Sequence, residues 1–102
     1  MVLAAHNAGE HLTRAIESVL NQDYEDLELI VANCASSDRT ASVCERFVDR
    51  DIRVEAVSVD NNSMSCGRAA ACSVARGRYL LFVGQDDWLG AGFLDAMVAA
   101  TR

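Results

Sequence analysis

Three short polar segments carry most of the side chains that can do chemistry, and each follows an apolar run. The first is His6-Asn7. The second, residues 33–38, holds Asn33, Cys34, Ser36, Ser37 and Asp38. The third, residues 84–88, holds Gly84, Asp86, Asp87 and Trp88. Nucleophilic chemistry of the Ser/His/Asp kind is not suggested, because His6 and His11 have no acidic partner at an informative spacing. Cys34, Cys44, Cys66 and Cys72 lack the close pairing of a zinc or dithiol redox site. Nor is the stretch around Gly84 a glycine-rich phosphate loop. Most of these residues have a plain structural use as well. Asn7 can cap a helix, and Asp38, Asp86 and Asp87 can complement the positive end of the helix each precedes. Arg68, early in a helix, can meet a phosphate or sit in solvent.

Charge narrows the choice of ligand. The formal net charge is −6, and all nine basic residues are arginines scattered along the chain. Such a chain is a poor candidate for nucleic acid or an anionic membrane surface. A phosphate ligand remains open if a metal ion or a helix N-terminus supplies the positive field. No apolar run approaches the ~20 residues of a membrane span. The chain opens directly into a short apolar strand without anything resembling a signal peptide, so free thiols and a cytoplasmic location are expected.

The elements that must position these segments follow from periodicity. Residues 2–5, 27–32, 53–59 and 79–83 read as strands. The last is apolar without a break, as a strand buried on both faces would be. Between them, Leu12, Ala15, Ile16, Val19 and Leu20 recur at helical spacing, with Asn7 and Glu10 as a capping box. Val43, Cys44, Phe47 and Val48 mark a second helix, capped by Ser36 or Ser37. A third starts within residues 61–67 and runs to Arg76, with Gly77 as its stop. A fourth carries Phe93, Leu94, Met97 and Val98. With 102 residues and half of them hydrophobic, one domain over 1–102 is expected. Strands alternating with helices imply an α/β fold with a parallel sheet. Placing the most apolar strands at the centre gives the order 3-2-1-4. The chain then reverses direction between strands one and four, and ligands bind such sheets beyond the carboxyl ends at that point. The three polar segments converge there.

The same segments resemble family 2 glycosyltransferases of the Rossmann-like GT-A fold. The likeness rests on Ala5-His6-Asn7-Ala8-Gly9-Glu10, on Ser18-Val19-Leu20-Asn21-Gln22-Asp23-Tyr24 and on Leu29-Ile30-Val31. It continues through residues 33–38, through Ser65, Arg68 and Ala69, and through Gly77-Arg78-Tyr79 to Gly84-Gln85-Asp86-Asp87-Trp88. It covers essentially the whole chain, in order. The resemblance implies a nucleotide-diphosphate-sugar donor, with Asn7, Asn33, Asp38 and Arg68 lining its pocket. It also implies that any cofactor is a divalent ion, Mn or Mg, on Asp86 and Asp87. A hard cation on carboxylate oxygens would neutralise the charge that develops on a leaving diphosphate.

Departures from the pattern fall on site positions. Gly84 stands where the family has the first Asp of its metal motif, and Asn33 and Cys34 replace its base-binding acids. Ala69 stands where an Asn is usual, and the half that supplies the acceptor site and catalytic base has no counterpart here. A catalytically inactive remnant, an interaction domain or one fragment of a split enzyme is therefore the rival reading. The same order of strands leaves the fourth at an edge, which predicts self-association or a partner chain covering it.

Overall fold

The computed structural model describes residues 1–7, 10–24, 26–35, 40–61, 63–77, 79–84 and 88–100. The elements, in chain order, are β1 (Val2–Ala5), α1 (Glu10–Leu20), β2 (Leu29–Cys34), α2 (Thr40–Arg50), β3 (Val54–Val59), α3 (Met64–Val74), β4 (Phe82–Val83) and α4 (Phe93–Ala100). The four strands form one parallel sheet in the order β3-β2-β1-β4. That is the order expected from the placing of the apolar runs.

Alternation along each strand sends side chains to two cores. Leu3, Ala5, Leu29 and Val31 point to one face. There they pack with Leu12, Ile16 and Val19 of α1 and with Val43 and Phe47 of α2. Val2, Ala4, Ile30, Ala32 and Cys34 point to the other, against Ala71 of α3. The second face is lined by small residues, and Gly67 lets α3 come close. A Cβ added there would run into Cys34 Sγ and stand 3.3 Å from Ala32 Cβ. β3, at one edge, is buried at Val54 and exposed at Glu55.

Two elements differ from the sequence expectation. Only Phe82 and Val83 of the apolar run 79–83 pair as β4, and Tyr79, Leu80 and Phe82 are at least half exposed. The run is not buried on both faces, because β4 has β1 as its only described neighbour. α3 stops at Val74, with Ala75 as its cap, and not at Gly77. The Glu28 carboxylate accepts from the Arg76 and Gly77 N–H groups at 2.6 and 3.0 Å and draws the chain out of the helix. Asn7 sits at φ 49°, in the left-handed region, whereas an N-cap is usually extended; residues 8 and 9, between it and α1, lie outside the described residues. The caps assigned to Ser36 and Ser37 lie outside the described residues. α3 is capped by Ser63, whose hydroxyl accepts from Cys66 N–H at 3.2 Å.

Candidate functional site

At the carboxyl end of the sheet, Ala5 of β1 lies in register with Asn33 of β2, and Asn33 with Ser58 of β3. The ends of β1 and β2 are joined by a side chain. His6 Nδ1 lies 2.6 Å from the Cys34 carbonyl oxygen, which can only accept, so Nδ1 carries the proton and donates. In neutral imidazole Nε2 is then the acceptor, and the Asn7 amide nitrogen faces it at 3.4 Å. His6 thus ties two strand ends together and helps orient the amide of Asn7. Both chains turn sharply just beyond, with Asn7 at φ 49° and Ala35 at φ 50°. Asparagine tolerates that conformation and alanine pays for it with strain.

Among the expected site residues, the structure brings Asn7 and Asn33 together at these strand ends. Asn7 is exposed and Asn33 half-buried. Arg68 is exposed on α3, near enough to the Cys34 thiol to act on it electrostatically. Gly84 follows β4 directly, next to the Val83–Leu3 pairing. Asp38, Asp86 and Asp87 lie outside the described residues. Cys34 is fully buried beneath α3. Burial pushes its thiol pKa up, and a hydrogen bond with the Ala5 backbone and the charge of Arg68 only partly oppose that shift. A protonated, enclosed thiol is neither a nucleophile nor a counterpart of an acid that reads a base.

Trp88 stacks on Arg14 of α1, with the guanidinium carbon 3.5 Å from the ring centroid. The four cysteines are free. Among the described residues, no group of three or more His, Cys, Asp or Glu side chains could hold a metal ion, and no helix is long and apolar enough to cross a membrane. A groove of about 950 Å³ lies elsewhere, at the amino ends of the strands, between Leu27, Arg76, Tyr79 and Met97. It is remote from the polar segments.

A parallel sheet of this order, with helices between its strands, defines a Rossmann-like α/β class of fold. Residues 1–101 match glycosyl transferase family 2, and the chain belongs to that family. The glycosyltransferase GlyA of Streptococcus pneumoniae serotype 4 is 25% identical over 97 residues, which is 95% of this chain and 14% of that protein. The putative glycosyltransferase EpsH of Bacillus subtilis is 24% identical over 98 residues, 96% of this chain and 28% of its own length. The crystal structure of S. aureus TarS 1–349 in complex with UDP superimposes with a TM-score of 0.88 at 22% identity, over 96% of this chain and 30% of that one. The same fragment in complex with UDP-GlcNAc gives 0.86 at 23% identity. The chain thus spans under a third of the length of these proteins.

The sequence pattern gave His6 no role, because its partner is a backbone carbonyl 28 residues away. Ser18 and Gln22 carry part of the family resemblance, but that resemblance does not group them with Arg14. Their spacing of four residues along α1 was the signal that could have grouped them.

Proposed function

We propose that this chain is the donor-binding part of a glycosyltransferase. The carboxyl ends of β1, β2 and β4 hold a nucleotide-diphosphate sugar, which passes to an acceptor bound by polypeptide outside residues 1–102. The observation that carries the reading is the His6–Cys34 tie, which joins the carboxyl ends of β1 and β2, where Asn7 and Asn33 lie, in a family 2 chain. Binding of UDP and UDP-GlcNAc by TarS supports it. Asn7 and Asn33 would exchange hydrogen bonds with base and ribose, Asp38 would accept from a ribose hydroxyl, and Arg68 would meet phosphate.

The donor set for a metal is small. His6 Nδ1 is already engaged, and Glu28 and Asp51 are bonded to arginines elsewhere. Asp86 and Asp87 are the residues that would hold an ion. One or two carboxylates plus ligand phosphates suit Mg or Mn, not a closed protein cage. Such an ion would offset the charge on the departing diphosphate.

In a panel titration, nucleoside diphosphates should bind only with Mn²⁺ present, and purified chain should not glycosylate simple acceptors. No binding by any diphosphate at millimolar concentration would leave the second reading, a non-catalytic interaction domain. That reading is favoured by the burial of Cys34 and by Gly84 in the metal motif. The open edge of β4, with Tyr79 61% and Phe82 52% exposed, is proposed to be covered by a second copy or a partner chain. Light scattering tests self-association: a monodisperse monomer at high micromolar concentration excludes the second copy.

A further inference from the structure

Trp88 is the single tryptophan of the chain and stands 55% exposed. It is nevertheless held in place. The Arg14 guanidinium lies over the ring, its carbon 3.5 Å from the centroid. The backbone that follows is fixed to α1 and its end. Leu89 N–H donates to Ser18 Oγ at 2.9 Å. Gln22 Nε2 donates to Gly90 O at 2.8 Å, and Gln22 Oε1 accepts from Leu94 N–H at 3.1 Å. Gln22 is only 6% exposed, and Leu89 packs against the core, so the mount is part of the folded body. The guanidinium covers one face of the indole and leaves the opposite face to solvent. Among the described residues, Trp88 Nε1–H has no hydrogen-bond partner. His11 and Glu17, three residues to either side of Arg14, are exposed on the same face of α1.

This platform flanks the carboxyl end of the sheet. α1 follows β1 and so begins there, and Arg14 is four residues, about 6 Å, along it. Gly84 leaves β4 at the same end, and the four residues from it to Trp88 reach about 14 Å at most.

We propose that Trp88 is a carbohydrate-stacking subsite. A pyranose ring lays its C–H face on the open face of the indole, and a ring hydroxyl accepts from Nε1–H. Arg14 is a positioning residue that holds the indole from beneath. The residue types favour a neutral, amphipathic ring: an aromatic face with one donor at its edge suits C–H groups bordered by hydroxyls. A polyanion is disfavoured by Glu17 beside the platform and by the net charge of −6. The inference rests on the glycosyltransferase reading above for its ligand class. The sugar has two sources, the donor's own and one of the acceptor, which Trp88 would touch from the side of this chain.

Because Trp88 is the only indole, its fluorescence reads this site alone. The whole chain is titrated with UDP and UDP-GlcNAc, each with Mg²⁺, and with chitotriose and cellotriose at millimolar concentration. Stacking predicts a saturable blue shift with UDP-GlcNAc or with a trisaccharide, and none with UDP. A response to UDP-GlcNAc identifies the donor sugar, and a response to a trisaccharide identifies the acceptor. By calorimetry, Trp88→Ala should weaken the sugar ligand roughly 3–10-fold, the scale of one aromatic contact, and leave UDP unchanged. Trp88→Phe, which keeps a ring face, should retain most of the affinity and decides the matter should the alanine variant unfold. Arg14→Ala should weaken the same ligand less than Trp88→Ala. No shift with any sugar ligand, or an equal shift with UDP and UDP-GlcNAc, would overturn the proposal. UDP binding without a sugar response overturns this subsite and leaves the donor reading standing. A trisaccharide response without nucleotide binding does the reverse.

Discussion

The α1–α4 junction and the carboxyl end of the sheet are both built from motif residues of the family, yet they have fared differently. At the junction, Ser18 and Gln22 are present and fully bonded, and the backbone they hold is satisfied. At the sheet end, Asn33, Cys34 and Gly84 offer no carboxylate, and Cys34 is packed beneath α3. The difference separates two demands that the motifs carry together. One is the demand of the fold, where an unbonded buried group costs stability at once. The other is the demand of the ligand, which the isolated fold does not feel.

The comparison is broken or sharpened by mutation. Gln22→Ala strips three backbone groups, Ser18 O, Gly90 O and Leu94 N–H, of their side-chain partner and should cost about 2–4 kcal/mol. Asn33→Ala should cost less than about 1 kcal/mol. Urea midpoints at constant m-value measure both, and equal losses would erase the distinction between the two regions.

The thiols give the next effect. Burial pushes the Cys44 pKa up to about 11, from a reference of 9.0, and Cys34 is shifted the same way. A raised folded-state pKa means the unfolded chain loses its proton first as pH rises, so stability is full below pH ~9 and declines toward pH ~11. Two units correspond to about 2–3 kcal/mol for Cys44, and Cys44→Ala should remove that share of the alkaline loss. If Cys34 belongs to the packed region, the exposed Cys66 should alkylate well before Cys34 and Cys44. Early alkylation of Cys34 would return it to the site. A further effect is expected at the contact below α3. Gly67→Ala should cost about 1–3 kcal/mol by overpacking, and Cys34→Ala in the same chain should recover part of it. No recovery would mean that Ala32 and Ala4, not the thiol, set the approach of α3.

Much of the fold was readable because apolar spacing reports burial directly. The strand order, the α1 face from Leu12 to Val19 and the edge placement of β3 all follow from it. What failed depended on partners distant in sequence. The run 79–83 is apolar enough for a central strand, but hydrophobicity does not say how many neighbours the sheet supplies. Gly77 looked like a helix stop until Glu28, 49 residues away, took its N–H group. The burial of Cys34 was accessible in principle: strand alternation puts it with Ile30 and Ala32, and Gly67 with Ala71 forms a small-residue surface at helical spacing. At the site, the positions of Asn7 and Asn33 were readable from topology, whereas the part played by His6 was not.

The most direct test of the donor reading is calorimetry of UDP with and without Mn²⁺ on the wild type, Asp86→Ala and Gly84→Asp. The account predicts weak, Mn²⁺-dependent binding by the wild type and none by Asp86→Ala. Gly84→Asp, which places a carboxylate two residues before Asp86, should gain roughly 10–100-fold. Tight binding that ignores Mn²⁺ and survives Asp86→Ala unchanged would contradict it.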